Sequence, residues 1–240
     1  MSIADKLTTI AENMQNVYDA GYEKGKAEGG DNWEDTFWNV YQENGNRTDY
    51  VGAFCGVGWN NTMFKPQYDI KPVGACNYLF AYSGLSGDLV EILKDLNVAL
   101  DLSKITSFHS GFSNAKNITR VGVVDIRNCG AACSSVFTYM SALVTIDELI
   151  ISNTTPNTLF SSNPALENIK ITGNICTTGW NFRTSTKLSK ASITNIINAL
   201  STTTSGLSVT ISKTAKEAVF TPDEWSALEA TKPNWTISLS

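Results

Sequence analysis

Charge and long apolar runs are scarce in this 240-residue sequence, and each scarcity excludes a class of function. Only 17% of the residues are charged, and the net charge of −5 repels a phosphate backbone, so we expect no nucleic-acid partner. No run approaches the roughly 18 apolar residues of a membrane-spanning helix, so we expect no membrane insertion. The N-terminus has no basic stretch followed by an apolar block, and it therefore predicts no secretory signal peptide.

Catalytic and metal-binding motifs are missing as well. His109 is the single histidine of the sequence, whereas nucleophilic triads and histidine metal sites usually need more. No Walker loop, Gly-x-Ser-x-Gly elbow or His-Glu-x-x-His helix occurs. Cys129 and Cys133 are close enough to suggest a metal site, but we interpret them as small buried residues. The sequence therefore predicts no enzyme, no cofactor and no metal.

The first segment of the chain carries a heptad pattern. Its apolar residues are separated by alternating steps of four and three, at Ile3, Leu7, Ile10, Met14 and Val17. This spacing predicts a coiled-coil oligomerisation helix over residues 1–30, which glycines end. The residue types at the two core positions disfavour a dimer, and we expect a homo-oligomer, most simply a trimer. The alternative is an amphipathic helix that packs on its own subunit.

Residues 31–97 form an aromatic-rich region that we interpret as a connecting segment and N-terminal cap. Asp31 and Glu34 have the spacing of a capping box and predict a second helix. The remainder is irregular, apart from one helix expected from about Asp88 to Leu96.

From residue 98 the sequence repeats. Phe112, Phe137, Phe160 and Phe182 follow one another at intervals of 25, 23 and 22 residues, in phase with short alternating strands such as Leu100/Leu102 and Val124/Ile126. Stacked at this period, the strands predict one parallel ladder with Phe112, Phe137 and Phe160 inside it. We therefore expect an α+β fold over residues 98–240, a parallel β solenoid of leucine-rich-repeat type.

The end of the sequence predicts helical capping repeats that begin at about residue 187. Two helices are expected at Ser192–Leu200 and Thr221–Ala230, with Ser192 and Thr221 as their N-caps. Each is followed by a predicted strand, Leu207–Ile211 and Trp235–Leu239. These units would cover the end of the solenoid.

The repeat resembles the irregular, bacterial-surface type of leucine-rich repeat. Three flanking segments are similar to prophage-encoded leucine-rich-repeat proteins of gut Firmicutes, of the kind associated with phage tails or baseplates: Ile3–Gly30, Phe37–Ile70 and Leu188–Leu239. The resemblance implies a virion structural or receptor-binding protein, assembled in the bacterial cytoplasm beside other virion proteins, and it brings no catalytic residues. The alternative is a bacterial surface or secreted leucine-rich-repeat adhesin, against which the missing signal peptide argues.

The predicted binding surface is the outer face of the ladder. If Leu102, Ile126, Ile151 and Ile171 point inward, the alternation of a strand turns their neighbours outward. The predicted binding residues are Asp101, Asp125, Arg127, Ile150, Lys170 and Thr172. We expect this face to contact a host cell-envelope protein or glycan, and the alternative is an ordinary solvated sheet.

Overall fold

The computed structural model describes residues 52–56, 60–66 and 69–240. The predicted coiled-coil residues Ile3, Leu7, Ile10, Met14 and Val17, and the helix expected from Asp31, lie outside the described residues. Within the described ranges, no helix has the length and apolar character needed to cross a bilayer.

Short strands alternate with turns, and the helices concentrate near the C-terminus. The strands are β1 (Gly74–Ala75), β2 (Gly87–Asp88), β3 (Ile105–Ser107), β4 (Ile118–Asp125), β5 (Phe137–Thr138), β6 (Thr145–Ile150), β7 (Phe160–Ser161), β8 (Asn168–Thr172), β9 (Trp180–Phe182), β10 (Leu207–Ile211) and β11 (Trp235–Leu239). The α-helices of the described residues are α1 (Leu89–Asp95), α2 (Lys190–Ala199), α3 (Lys213–Val219) and α4 (Pro222–Glu229).

The strands pair in parallel and divide into four small sheets. The largest has the order β2-β4-β6-β8, and β9, β10 and β11 form a second sheet with β10 in the middle. The pairs β1–β3 and β5–β7 make two further sheets. The described part of the chain is therefore a mixed α/β structure with several small parallel sheets.

This architecture contradicts the predicted parallel β solenoid of leucine-rich-repeat type, because no single ladder runs from residue 98 to the C-terminus. At β8 the physical reason is visible, since side chains of α2 occupy the edge where the next strand would pair. Ser192 Oγ accepts a hydrogen bond from the Ile169 N–H (3.0 Å), and Asn195 Oδ1 accepts one from the Ile171 N–H (2.6 Å). The predicted strand at Leu100/Leu102 is also wrong, because only an isolated bridge joins Leu100 to Ile70.

The three helices predicted within the described residues are present, but one N-cap differs and a fourth helix occurs. The helix expected from about Asp88 is confirmed as α1, which Asp88 caps, and α4 has the predicted cap Thr221, which forms a capping box with Glu224. The predicted cap of α2 is wrong, because Ser189 rather than Ser192 occupies that position. Helix α3 was not expected at all.

The predicted stacking of phenylalanines is confirmed. The ring centroids of Phe112 and Phe137 lie 5.9 Å apart at an interplanar angle of 6°, and those of Phe137 and Phe160 lie 5.1 Å apart at 15°. Phe80 and Phe54 extend the stack towards the N-terminus, with centroid separations of 5.4 Å and 5.2 Å along the row. All five rings are buried, so the stack forms the axis of the apolar core.

Candidate functional site: the outer face of the four-stranded sheet

The outer face of the four-stranded sheet groups six side chains into two rows. Leu149 and Ile171 are buried in the core, so strand alternation turns the residues on either side of them outward. The strand register places Val123 beside Glu148, and Ile150 beside both Asp125 and Thr172. Lys170, on β8, continues the row formed by Val123 and Glu148. We call this surface the charged face and define it by Val123, Asp125, Glu148, Ile150, Lys170 and Thr172, together with Arg127.

Glu148 links two strands of the charged face. Its Oε1 lies 2.8 Å from Lys170 Nζ and accepts a hydrogen bond from Thr172 Oγ1 at 2.6 Å. The contact with Lys170, and after it the contact with Thr172, lowers the pKa of the Glu148 carboxyl below its usual value. The carboxylate is therefore ionised at neutral pH and held in one position by β8.

A second ionic group lies nearer the start of the strands. Arg120 binds Asp147 with two parallel hydrogen bonds, from Nε to Oδ1 (2.8 Å) and from Nη2 to Oδ2 (2.9 Å). Its third contact, from Nη1 to Asp88 Oδ2 at 3.2 Å, reaches the residue that caps α1. These hydrogen bonds raise the pKa of Arg120. Because the group is partly exposed, we expect it to fix side-chain positions more than it adds stability.

The prediction that Asp125 points into solvent is wrong, because only 7% of the residue is exposed. Arg127 covers it: Arg127 Nε lies 2.9 Å from Asp125 Oδ1, and Nη2 lies 2.9 Å from Oδ2. The contact with Asp125 raises the pKa of Arg127. Asp125 also accepts a hydrogen bond from the Arg127 backbone N–H, so it closes the turn after β4 and leaves Arg127 as the exposed group.

Asp101 is not on a strand of the four-stranded sheet. The strand that would have aligned it with Asp125 does not form, and Asp101 Oδ1 instead accepts a hydrogen bond from the Ser103 N–H (2.9 Å) in a turn of the same kind. The structure therefore brings together five of the six predicted residues, namely Asp125, Arg127, Ile150, Lys170 and Thr172.

Sequence reasoning missed two residues of this face, Val123 and Glu148. Val123 is 49% exposed, although it lies between Val121 and Val124, which are buried, and therefore looks like part of an apolar core run. The signal that could have placed it is the charged Glu148, 25 residues further along the chain, with which Val123 pairs. Val123 and half-buried Ile150 are diagonal neighbours in this register and give the face an apolar patch, next to the charged side chains.

The two cysteines that suggested a metal site are buried, as we interpreted them. Burial raises the pKa of Cys129 and that of Cys133 to about 12, so both thiols stay protonated at neutral pH. Among the described residues, no group of three histidine, cysteine or acidic side chains is arranged to hold a metal ion.

Comparisons with known proteins do not assign the chain to a family. No family model, no curated protein and no solved structure matches it. The role of the charged face must therefore be argued from its own residues.

Proposed function

We propose that this chain is a non-enzymatic structural or receptor-binding component of a phage tail or baseplate, and that it docks on another virion protein through the charged face. The virion context is supported by the resemblance of Ile3–Gly30, Phe37–Ile70 and Leu188–Leu239 to prophage proteins. The docking role is supported by one observation above all. Val123 is 49% exposed next to charged side chains whose positions are fixed by hydrogen bonds.

An apolar patch next to a charged rim is common at protein–protein interfaces. Val123 and Ile150 supply apolar area that a partner can cover, and the rim carries both signs of charge, on Glu148, Lys170 and Arg127. A surface of mixed sign fits a protein with interspersed complementary charges better than a polyanion of one sign.

The rim is also organised before binding. Glu148 is held by Lys170 and Thr172, and Arg127 is held by Asp125. A partner that meets side chains already in place loses less conformational entropy when the complex forms. The charged face therefore suits docking of a preformed surface.

The test is incorporation into phage particles. Val123→Asp places an unpaired charge in the apolar patch, whereas Val73→Asp makes the same change at a valine that is 44% exposed and lies just before β1, outside the charged face. Quantitative mass spectrometry of purified particles should find the wild-type and Val73→Asp chains at equal levels. The Val123→Asp chain should fall by about tenfold or more, because a desolvated, unpaired carboxylate costs over ~1.4 kcal/mol.

Two results would contradict this proposal. A chain that is absent from purified particles but present on the bacterial surface would favour the adhesin alternative. Equal incorporation of the Val123→Asp and wild-type chains would remove the charged face from the docking contact. Circular dichroism of both variants establishes that each remains folded.

A further inference from the structure

Every tyrosine in the described part of the chain has a left-handed backbone. The φ angle is 61° at Tyr78, 57° at Tyr82 and 58° at Tyr139. This region is unfavourable for residues other than glycine, asparagine and aspartate, because the Cβ atom of an L-residue crowds the following carbonyl. These tyrosines therefore occupy positions that backbone preference would give to other residues.

Tyr82 and Tyr139 belong to one row of equivalent positions, each two residues after a stacked phenylalanine. The Tyr82 N–H donates to the Ser113 carbonyl and the Tyr139 N–H donates to the Ser161 carbonyl, both at 2.8 Å. All positions of the row have a positive φ. We call this row the left-handed column and define it by Gly56, Tyr82, Asn114, Tyr139 and Ser162.

The fold does not need a tyrosine at either position. Gly56 and Asn114 fill the same position in neighbouring units with residues that suit a left-handed backbone. Tyr82 is 40% exposed and Tyr139 is 52% exposed, so much of each ring remains outside the core. Backbone preference disfavours tyrosine here and core packing does not account for it, so contacts outside the chain would explain the two rings.

The two tyrosines flank Asn114 in the column. They are two hydrogen-bonded steps apart, a backbone separation of about 10 Å from the usual spacing of neighbouring strands. The Asn114 N–H donates to the Thr138 carbonyl (2.8 Å), which fixes the middle position as well. The column thus presents two aromatic side chains with an amide between them on a hydrogen-bonded backbone.

The surroundings of the column carry almost no charge. The four segments that supply its positions after Gly56 and the turns beside them contain no Asp, Glu, Lys or Arg: residues 72–87, 105–115, 128–146 and 149–166. Lys116, two residues after Asn114, is the nearest charged residue to Asn114 along the chain. Serine, threonine and asparagine predominate instead, so the surface offers hydroxyl and amide groups. This contrasts with the charged face.

We propose that the left-handed column is a binding site for a neutral carbohydrate. The apolar C–H faces of sugar rings stack on Tyr82 and Tyr139, and Asn114 hydrogen-bonds the sugar hydroxyls between them. Tyrosine suits this role because its ring offers a rigid, amphipathic contact with few rotatable bonds. The uncharged surroundings favour a neutral glycan over an anionic one or a typical charged protein surface. The site is separate from the charged face and does not depend on the virion context.

The test uses the full-length chain, fluorescently labelled, on an array of immobilised neutral oligosaccharides with sulfated and sialylated ones beside them. Tyr82→Asn and Tyr139→Asn introduce the residue that already occupies the column at Asn114, so the thermal unfolding midpoint should stay the same or rise. We expect the wild type to bind neutral oligosaccharides, and each substitution to weaken binding by about tenfold, the loss of one aromatic contact. Leu239→Asn, at an exposed leucine of β11, should bind as the wild type does.

Several outcomes would overturn the proposal. One is that the wild type and the double variant Tyr82→Asn, Tyr139→Asn bind every neutral oligosaccharide equally weakly. Another is that the wild type binds only the sulfated and sialylated sugars. A clear fall in the unfolding midpoint of either tyrosine variant would show that the fold does need the ring. None of these results bears on incorporation into particles.

Discussion

Phe137 lies at the middle of the aromatic stack and is fully buried. Its ring is nearly parallel to those of Phe112 and Phe160, and its carbonyl oxygen accepts a hydrogen bond from Asn163 Nδ2 (2.6 Å). Loss of this ring would leave a cavity between two rings that belong to different turns of the chain. Neither neighbour can close the gap without moving its own turn.

We therefore expect Phe137→Ala to lower the free energy of unfolding by about 3–5 kcal/mol, the usual range for a buried phenylalanine. Denaturant melts measure the loss directly. Phe137→Leu fills more of the cavity and should lose less. A loss below about 1 kcal/mol for the alanine variant would place the ring outside the packed core.

At the residue scale, the sequence predicted the features that follow from residue spacing. It did not predict those that depend on contacts with neighbouring side chains or on the backbone of a turn. The phenylalanine intervals were sufficient for the stack, because one large apolar residue per turn is buried wherever the turns lie together. The burial of Asp125 depends on how the Arg127 guanidinium folds back, which no local pattern shows. Tyr82 and Tyr139 look like core aromatics in the sequence, since a left-handed φ is a property of the turn and not of the side chain.

Helix α2 determines where the four-stranded sheet ends. Asn195 binds both backbone groups of Ile171, with Oδ1 accepting from the N–H at 2.6 Å and Nδ2 donating to the carbonyl at 3.4 Å. Ser192 accepts from the Ile169 N–H in the same way. The helix therefore satisfies the edge of β8 with side chains, and the sequence could not show this because Ser192 looks like an N-cap.

Asn195→Ala should lower the free energy of unfolding by about 1–3 kcal/mol, because it leaves backbone groups of β8 without partners. Asn198→Ala is the matched control, since Asn198 is exposed on the same helix and should change stability by about 0.5 kcal/mol or less. Urea melts of the two variants give the comparison. Equal effects would mean that the Asn195 side chain does not satisfy the edge of β8.

Helix α4 is linked to α2 by an ion pair whose contribution to stability depends on pH. Glu224 accepts hydrogen bonds from Lys190 Nζ (2.6 Å) and from the Thr221 N–H (3.0 Å), and these contacts lower the pKa of its carboxyl to about 2. Between the ordinary value of 4.5 and about 2, the unfolded chain binds a proton that the folded chain does not. The stabilising contribution is therefore complete above the ordinary value and is lost as the pH falls towards about 2.

The difference in unfolding free energy between the wild type and Glu224→Gln should accordingly shrink on acidification through this window. Thermal or urea melts at several acidic pH values measure it. Lys190→Met removes the main cause of the lowered pKa of Glu224. In that variant, the pH-dependent loss of unfolding free energy should therefore be smaller and should occur at higher pH. A difference that is constant with pH would contradict the role of the Lys190 contact.

Helix α3 shows which elements the sequence does not reveal. It buries only Ala215, so no apolar stripe marks Lys213–Val219, and its cap Ser212 is one of many serines. The strands β10 and β11 were predicted correctly, because their alternating residues are confined to short runs bounded by turns. Helix α4 also buries a single residue, Trp225, but its capping box marks where it starts, and α3 has no such signal.

At the scale of the whole molecule, one apolar core connects the two proposed surfaces. The core extends from Ala53 to Trp235 and includes the aromatic stack beneath the left-handed column and the inner residues of the four-stranded sheet. The repeat period predicted this continuity. It could not predict the division into four sheets, because the same spacing allows an edge to be closed by a strand or by side chains of a helix. A protein with two separate binding surfaces on one core can attach to a particle and still present the other surface.

We propose that several copies of the chain assemble through residues 1–30, whose heptad residues lie outside the described structure. Each left-handed column offers only two tyrosines, so a single site would bind weakly, and avidity among linked copies would strengthen attachment to a surface with many glycans.

Ile10→Asp places an unpaired charge at a predicted core position of the coiled coil and should dissociate the oligomer without unfolding the rest. Light scattering on the intact chain should give the mass of a trimer for the wild type and of a monomer for Ile10→Asp. Ser2→Asp, outside the apolar seam, should leave the oligomer intact. A wild-type chain that is monomeric at tens of micromolar would mean that the heptad residues pack on their own subunit or on a different partner.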